Sequence, residues 1–357
     1  MSGPVVLIEL GGSHDECLYP QAAALRAAGR RVVLVTTAPV AARLADADVY
    51  ERVHVVELGR GRQRWRVLWQ LNGYLRRLAP ERIVLNTATG GPIKRLLALP
   101  NYPGTETYGI LHEVGKLGRS VGQWSIGRRL GRYLVLADYL VPVARAATLV
   151  PVAAYYAFEL PTGGVPAATP SPTLRLCVPG QVSEDRRAYL AFIELLATVP
   201  RDVPYHVTLL GRSTHTHGSA DAVRAALERH GLTERFTLFD AFIPAATFEQ
   251  VLAEADYLLP LIHPGHRSAS LYEHQITGTF NLAYARRKTL LMHAGWLRGE
   301  DPADTALTYA EEGFAERLRT LAEQRPRAPY RLTKWRPQVQ RAAYVEALGL
   351  RSITYAA

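Results

Sequence analysis

Short apolar runs alternate with longer amphipathic segments along the chain. The first run, Val5–Glu9, is rich in β-branched residues, and two glycines, a helical pattern over 17–28 and a second apolar run at 31–36 follow it. Strand, loop, helix and strand in this order form a βαβ unit. Further strands are predicted at 52–58, 82–86, 107–112 and 133–137, with a helix at 65–78. This part of the chain is therefore predicted to be a parallel sheet covered by helices.

The alternation starts again after a segment rich in proline, glycine and small polar residues. Strands are predicted at 174–178, 205–210, 236–239, 257–260 and 289–292, and helices at 185–197, 220–230, 246–254, 280–287 and 335–348. We expect an N-terminal domain at 1–160, a linker at 161–173, a C-terminal domain at 174–334 and a last helical segment at 335–357. The predicted fold is α/β, with two Rossmann-like, doubly wound parallel-sheet domains facing across a cleft, where ligands bind at the carboxyl ends of strands.

Composition narrows the class of protein. The chain has 357 residues, of which 48% are hydrophobic and 21% are charged, so a disordered chain is excluded. Two cysteines, Cys17 and Cys177, exclude a disulfide framework and suit a reducing compartment. The N-terminus lacks the basic region of a signal peptide, and the most apolar stretch, 133–160, is interrupted by charges and prolines. We therefore expect a cytoplasmic protein, with at most peripheral membrane contact.

The net charge of +10 is distributed unevenly. Residues 1–170 carry 20 Lys and Arg against 12 Asp and Glu, whereas the rest of the chain is nearly balanced. A basic half indicates an anionic partner, which is a nucleic acid, an acidic membrane surface or an acidic substrate. The basic segment 59–66 resembles a nucleic-acid arm, but we interpret it as a surface or membrane-facing loop.

The first candidate site is the loop after the first strand. Gly11, Gly12 and Ser13 allow close backbone approach, and the following helix offers free N–H groups to an anion. His14 is a candidate general base, oriented by Asp15 or Glu16. The alternative is that Ser13 or Asp15 simply caps the helix.

Two further candidate sites follow other predicted strands. His112 comes directly after the strand at 107–112 and is expected at the same sheet edge if this strand neighbours the first, although core and capping histidines are as frequent. The turn from Thr277 to Thr279 opens a helix and suits a diphosphate, with Gly180 and Arg186 supplying a flexible loop and a forked cation. An ordinary helix cap is the alternative for this turn.

Other apparent motifs carry less weight. The acidic pair at 46–48 is interpreted as a solvated turn, and the histidines at 215–217 and at 263–266 lack further zinc ligands. Neither a phosphate-binding P-loop nor a dinucleotide fingerprint occurs, so NTPase and dinucleotide oxidoreductase functions are disfavoured.

The order of these segments resembles that of GT-B glycosyltransferases that use nucleotide sugars, in particular the bacterial family 1 and family 4 groups. The resemblance rests on ELGGSHDECLYPQAAALRAAGRRVVLVTT, CVPGQVSEDRRAY, HVTLLGRS, FDAFIPAATFEQVLAEADYLLPL and YEHQITGTFNLAYARRKTLLM, and it covers nearly the whole chain. It implies that the last helix crosses back to the first domain. It also implies a donor that is a nucleoside diphosphate sugar and no cofactor or metal ion.

The resemblance assigns donor-binding residues in the second domain. The matched positions are Gly180, Arg186, Gly211, Ile243, Tyr272, Glu273, Thr277, Gly278 and Thr279. Glu273 matches the first of two glutamates that the retaining branch carries eight positions apart. Asn281 stands at the second position, so the pair that usually contacts the ribose is incomplete.

In the first domain the resemblance gives the two histidines different roles. His14 matches the base of inverting members, and its glycine-rich loop resembles an acceptor loop, whereas His112 matches a residue that contacts the donor sugar in some retaining members. Inverting and retaining outcomes therefore both stay open. The implied function is transfer of a sugar to a glycan, lipid-linked or small-molecule acceptor bound by the basic domain, with peripheral contact to the inner face of a membrane.

Two other functions remain as alternatives. A nucleotide-sugar epimerase shares this architecture, and a non-catalytic nucleotide-sugar-binding protein would fit the missing glutamate. A nucleic-acid partner is not expected, because the basic loop lacks the interleaved aromatic residues of a stacking platform.

Overall fold

The computed structural model describes residues 3–44, 46–100, 104–158, 164, 166–213 and 219–351. The chain divides into two compact units. One unit comprises Met1–Glu159 together with Arg336–Ala357, and the other comprises Leu160–Trp335. The predicted linker lies partly outside the described residues, as do the histidines at 215 and 217.

The first unit contains a seven-stranded sheet in which all strands are parallel. Its order is β3-β2-β1-β4-β5-β6-β7. The strands are β1 (Val5–Glu9), β2 (Val32–Thr37), β3 (Arg52–Val56), β4 (Arg82–Leu85), β5 (Glu106–Leu111), β6 (Arg132–Val135) and β7 (Val152–Ala154). The helices are α1 (Leu18–Ala27), α2 (Ala38–Ala41), α3 (Gly61–Leu78), α4 (Gly91–Ala98), α5 (Val121–Gly127) and α6 (Leu140–Arg145).

The strand order reverses between β1 and β4, which defines a switch point at the carboxyl ends of these strands. Right-handed crossovers place α1 on one face of the sheet and α3, α4 and α5 on the other. All five residues of β1 are buried because helices cover both faces, and the last of them is the charged residue Glu9.

The last helix of the chain packs on α1 of the first unit. The Tyr344 hydroxyl donates to the Gln21 side-chain oxygen at 2.9 Å, and the Tyr344 and Tyr155 rings lie 4.5 Å apart between centroids. Arg132 of β6 donates to the carbonyl of Ala347 at 2.9 Å. Burial of Tyr344 and these bonds hold the chain end on the sheet of the first unit.

The second unit contains six parallel strands in the order β10-β9-β8-β11-β12-β13. The strands are β8 (Leu174–Pro179), β9 (Tyr205–Arg212), β10 (Phe236–Phe239), β11 (Tyr257–Leu258), β12 (Thr289–His293) and β13 (Ala306–Tyr309). The helices are α7 (Tyr189–Ala197), α8 (Ser219–Arg229), α9 (Ala245–Glu254), α10 (Arg267–Tyr272), α11 (Gly278–Arg286), α12 (Asp301–Thr305) and α13 (Phe314–Gln324). The last helix of the chain, in the first unit, is α14 (Pro337–Ala347).

The predicted fold class is confirmed, since both sheets are parallel and doubly wound. The predicted strands are present, but the helices α2, α4, α5, α6, α10, α12 and α13 and the strands β7 and β13 were not predicted. All of these except the eleven-residue α13 are short runs of eight residues or fewer. The interpretation of 59–66 as a loop is wrong from Gly61 onward, where α3 begins. The helix predicted at 185–197 starts only at Tyr189, because residues 184–187 form a turn.

Candidate functional site

A buried carboxylate organises the switch point of the first sheet. Glu9 is 0% exposed, and its oxygens accept hydrogen bonds from the Gly11 N–H at 2.6 Å, the Asn86 amide at 2.7 Å and the Thr87 hydroxyl at 2.6 Å. The loop after β1 and the loop after β4 are therefore tied to one side chain. Glu9 was not among the residues predicted from the sequence. The signal for it is a charged residue at the end of an otherwise apolar strand.

His14 and His112 meet above this carboxylate network. Their rings stack with centroids 3.6 Å apart and planes 12° apart. The Asn86 amide also donates to the His14 carbonyl at 2.9 Å, and His14 has a left-handed φ of 68°. His112 was expected at this edge if its strand neighbours β1. In the structure β4 lies between β1 and β5, and the two rings nevertheless stack.

The His112 ring is neutral and hydrogen-bonded through its Nε2. The His112 Nε2 lies 2.7 Å from the Asn86 carbonyl, which fixes the proton on Nε2 because a carbonyl only accepts. Burial, with the adjacent His14 ring, holds the pKa of His112 well below its ordinary value, so His112 is neutral at pH 7. His14 is half-buried, with 35% of its side chain accessible.

The carboxylate beside His14 is that of Glu16. The Glu16 Oε1 lies 3.3 Å from the His14 Nδ1, whereas Asp15 is held by Arg43 at 2.7 Å. Arg43 also donates to the Gly12 carbonyl at 2.9 Å, so Asp15 and Arg43 brace the loop. Of the two carboxylates considered for orienting His14, the structure brings Glu16 to the ring.

The remaining residues of the predicted acceptor loop are exposed. Gly11, Gly12 and Ser13 lie on the surface after β1. A Cβ on Gly11 would come within 2.7 Å of the Glu9 carboxylate, whereas one on Gly12 would meet nothing within 4 Å. Gly11 is therefore required by the carboxylate beneath it, and Gly12 leaves an open surface.

A cavity of about 420 Å³ lies at the same edge of the first sheet. Its lining includes Glu113, the residue after His112, and the cations Lys94, Lys116 and Arg119. Lys116 is paired with Glu113 at 2.9 Å. With three cations and one carboxylate, this cavity is suited to an anionic group.

In the second unit, Gly180 follows β8 and has a backbone conformation that favours glycine. Its φ is 103°, and a Cβ there would lie 2.7 Å from the Arg187 guanidinium. Arg187 is buried and donates to the Pro179 carbonyl at 2.7 Å, while Arg186 is exposed. Arg187 thus shapes the loop, and the Arg186 side chain is accessible to an anion.

Gly211 has a packing role that the sequence did not reveal. A Cβ at Gly211 would lie 2.1 Å from the Gly180 carbonyl oxygen, so the end of β9 runs directly against the Gly180 loop. The predicted donor residue Gly211 supports the shape of the loop through its backbone.

The turn from Thr277 to Thr279 begins α11. Thr277 is the N-cap, and its buried hydroxyl accepts from the Thr279 N–H at 3.4 Å. A Cβ on Gly278 would meet nothing within 4 Å, so the start of this nine-residue helix is open. An open helix N-terminus attracts negative charge.

The other predicted donor residues lie on loops around this unit. Ile243 is buried between β10 and α9, and Tyr272 is buried at the end of α10. Glu273 is half-exposed and pairs with Arg298 at 2.9 Å. The Oδ1 of Asn281, on the first turns of α11, is buried with no hydrogen-bond partner in the described part of the chain.

A buried histidine pair marks the carboxyl end of β12 and β13. The His263 Nε2 lies 2.7 Å from the Tyr309 hydroxyl, and the His263 and His293 rings lie 4.9 Å apart. Burial, with the neighbouring His293, lowers the pKa of His263 to about 4. The His293 Nε2 lies 2.9 Å from the exposed Glu311 carboxylate. In the sequence, His263 was considered only as a possible metal ligand. Its contacts with His293 and Tyr309 were not predicted, because these two residues lie on separate strands.

Among the described residues, no group of three or more His, Cys, Asp or Glu side chains is arranged to hold a metal ion. His266 caps α10 by accepting from the Ser268 N–H at 3.2 Å. Asp46 accepts from the Asp48 N–H at 3.1 Å, as in a turn. Within the part of the chain that the structure describes, no helix is long and apolar enough to cross a bilayer.

Comparison with known proteins gives a likeness in structure. No family model matches the sequence, and no curated protein matches it significantly. HepE of Anabaena, solved with UDP and glucose, is 13% identical over 97% of this chain and 94% of its own, with a TM-score of 0.63. The lipopolysaccharide outer core galactosyltransferase WaaB is 10% identical over 97% of each chain, with a TM-score of 0.59.

A UDP-N-acetylglucosamine 2-epimerase is also similar. It is 9% identical over 96% of this chain and 91% of its own, with a TM-score of 0.54. At such identities the likeness establishes the fold. The chain has the GT-B fold, as the sequence resemblance predicted, and glycosyltransferases predominate among the similar structures.

Proposed function

We propose that the protein is a glycosyltransferase that moves a sugar from a nucleoside diphosphate sugar to an acceptor. The observation that carries the proposal is the open start of α11 at Gly278, within a fold whose similar structures include one solved with UDP and glucose. A helix N-terminus with no side chain in front of it is a place for a phosphate.

The donor site is assigned to the second unit. Backbone N–H groups at Gly278 and the exposed guanidinium of Arg186 bind the diphosphate. The unpaired Oδ1 of Asn281 accepts from a ribose hydroxyl, which offsets the cost of about 1–3 kcal/mol for a buried polar atom without a partner. The position that departs from the usual glutamate thereby keeps an acceptor oxygen.

The acceptor and the base are assigned to the first unit. An acceptor hydroxyl attacks the anomeric carbon and gives its proton to His14, while the bond from that carbon to the diphosphate oxygen breaks and the diphosphate leaves with the electron pair. Glu16 stabilises the imidazolium. The lowered pKa of His112 makes it a weak proton acceptor, and its Nε2 is engaged on Asn86, so His14 is assigned as the base. This single displacement inverts the anomeric centre.

The cavity beside His112 defines a class of acceptor. Lys94 and Arg119 are exposed there, and Lys116 is only partly neutralised by Glu113. We assign the acceptor's anionic group, a phosphate or a carboxylate, to this cavity. In the donor site, the helix end and Arg186 offset the negative charge that grows on the leaving diphosphate, so no metal ion is needed.

Nuclear magnetic resonance of nucleotide sugars tests the proposal. The protein is incubated with UDP-glucose and related donors, with and without phosphorylated or carboxylated acceptor sugars. Release of the nucleoside diphosphate with a new glycosidic linkage of inverted configuration supports the proposal. Gly278→Asp abolishes it, because the new carboxylate repels the phosphate. Gly131→Asp serves as the control, because it adds the same charge at an exposed glycine before β6, where the Cβ would meet only the Thr107 carbonyl oxygen at 3.9 Å.

An epimerase is the second candidate, because an epimerase is among the similar structures. It would convert the donor sugar in the absence of any acceptor. Appearance of an epimeric sugar in the acceptor-free sample would replace the transferase proposal, and a retained donor that still binds would indicate a non-catalytic binding protein.

A further inference from the structure

Three of the five tryptophans are exposed, and all three lie in the first unit. Trp65 and Trp69 on α3 are 41% and 55% exposed, and Trp124 on α5 is 61% exposed. The other two, Trp296 and Trp335, are 1% exposed. Large aromatic side chains are usually buried, so a group of exposed ones indicates an interaction surface.

The three exposed tryptophans belong to one layer of helices. α3 contacts α4, and α4 contacts α5. Trp65 and Trp69 are four residues apart and share a side of α3 that flanks the buried side formed by Leu68, Leu71 and Leu75. Right-handed crossovers place this layer on the face of the sheet away from α1 and α14.

The same layer of helices is basic and carries no acidic residue. The helices α3 and α4 carry seven basic residues and no acidic residue, and α5 carries no charged residue. The seven are Arg62, Arg64, Arg66, Arg76, Arg77, Lys94 and Arg95. The Arg95 guanidinium lies 5.8 Å from the centroid of the Trp65 ring, and the Arg128 guanidinium lies 4.9 Å from that of Trp124. Each pair presents an aromatic plane beside a cation.

We propose that this layer docks on an anionic lipid bilayer. We call it the Trp–Arg surface, comprising Trp65, Trp69, Trp124, Val121 and the cations of α3 and α4 with Arg128. Indole rings partition to the interface between headgroups and acyl chains, and arginine binds lipid phosphates. The proposal goes beyond the proposed function and stands whether or not the protein is a transferase.

A bilayer fits the surface better than a nucleic acid. Val121, next to Trp124 on α5, is 76% exposed. An aliphatic side chain has no partner in a phosphate backbone or a base stack but gains free energy in the acyl region. An amphipathic helix with aromatic residues among arginines is typical of segments that lie in the plane of the interface.

Vesicle sedimentation with the full chain tests the surface. Vesicles of phosphatidylcholine alone and of phosphatidylcholine mixed with phosphatidylglycerol are compared. We expect the parent chain to sediment with the anionic vesicles. Binding should weaken by at least about tenfold in W65A/W69A and in R62E/R66E, since each surface cation and each indole inserted into the interface contributes to partitioning. Raising the salt to about 1 M shortens the Debye length to about 3 Å and weakens binding.

A matched charge reversal on the other side of the sheet is the control. Arg26 on α1 and Arg341 on α14 are exposed, and R26E/R341E changes the net charge as much as R62E/R66E does. It is expected to retain anionic-vesicle binding to within a few-fold. Circular dichroism and thermal unfolding of all variants identify any that fail to fold, and W65F/W69F then replaces the alanine pair.

Several outcomes would overturn the proposal. The first is no sedimentation with anionic vesicles. The second is an equal loss of binding in R26E/R341E and R62E/R66E. The third is full retention of binding in the folded double variant of Trp65 and Trp69. Tight binding of an RNA or DNA oligonucleotide that is lost in the same variants, without vesicle binding, assigns the surface to nucleic acid. Sugar transfer to a soluble acceptor, measured without vesicles, reports on the proposed function separately.

Discussion

The imidazole rings of His14 and His112 lie face to face, 3.6 Å apart between centroids, although β4 separates the strands that they follow. Two stacked imidazoles that both carry charge would repel each other, and burial keeps the pKa of His112 low. His112 therefore serves as a neutral platform, anchored through Nε2 on Asn86, for the accessible ring of His14.

Replacing His14 by Gln is expected to lower the rate of sugar transfer by about 10²–10⁴-fold, the usual contribution of a general base. Donor affinity should stay unchanged, because the donor residues lie in the other unit. Steady-state kinetics with separate titration of the donor checks this. An unchanged kcat would exclude His14 as the base.

The two carboxylates after His14 are expected to behave differently. Glu16→Gln should lower kcat, because the imidazolium that forms on His14 during transfer loses the carboxylate that lies 3.3 Å from its Nδ1. Asp15→Asn should change kcat less, since the Asp15 carboxylate is bonded to Arg43. Steady-state kinetics of both variants measures the difference, and equal losses would contradict the assignment of Glu16.

The Glu9 carboxylate is expected to stabilise the first unit. Glu9→Gln puts an amide N–H₂ where an oxygen accepts hydrogen bonds, which should lower the free energy of unfolding by about 2–3 kcal/mol. Urea unfolding measures it. Glu51→Gln, at an exposed pair with Arg31, is the control and should change stability by less than about 0.5 kcal/mol. Equal effects would mean that the buried network contributes little.

Two glycines of the second unit separate packing from binding. Gly211→Ala places a Cβ against the Gly180 carbonyl and should cost about 1–3 kcal/mol of stability. Gly278→Ala meets open space and should leave stability nearly unchanged. Thermal unfolding of the two variants checks this, and a stable Gly211→Ala protein would argue against the close approach of β9 to the Gly180 loop.

Acidification is expected to destabilise the second unit through His263. Its pKa falls from the ordinary 6.5 to about 4 on folding, so the unfolded state binds the proton more readily. The stabilisation is present above pH 6.5 and is lost as the pH falls towards 4, by roughly 3 kcal/mol in total. His263→Gln should flatten this part of the stability–pH curve. The same slope in the variant and the parent chain would exclude His263 as the cause.

Periodicity was sufficient to predict the parallel sheets, since β1, β2 and β8 are buried apolar runs between glycines. It missed α4 and α12, which are eight and five residues long and too short to show a helical period. The basic segment at 59–66 looked like a loop because of its glycines, yet Gly61 begins an amphipathic helix that packs through Leu68.

The sequence suggested His14 as a candidate because it follows a strand, and the turn at Gly278 because it begins a helix. The bonds from Glu9 to Asn86 and from His263 to Tyr309 join residues 77 and 46 positions apart. Such contacts cannot be predicted from spacing along the sequence, because the order of strands in the sheet determines which residues meet. Gly211 shows a third limit, since its close approach to Gly180 depends on backbone positions.

Calorimetric titration with nucleoside diphosphates tests the central claim most directly. We predict that one nucleoside diphosphate binds the parent chain and His14→Ala equally. Binding should be at least tenfold weaker, about 1.4 kcal/mol, in Gly278→Asp and in Arg186→Ala. No binding by any nucleoside diphosphate, or equal binding by Gly278→Asp, would contradict the account of a nucleotide-sugar site at the start of α11.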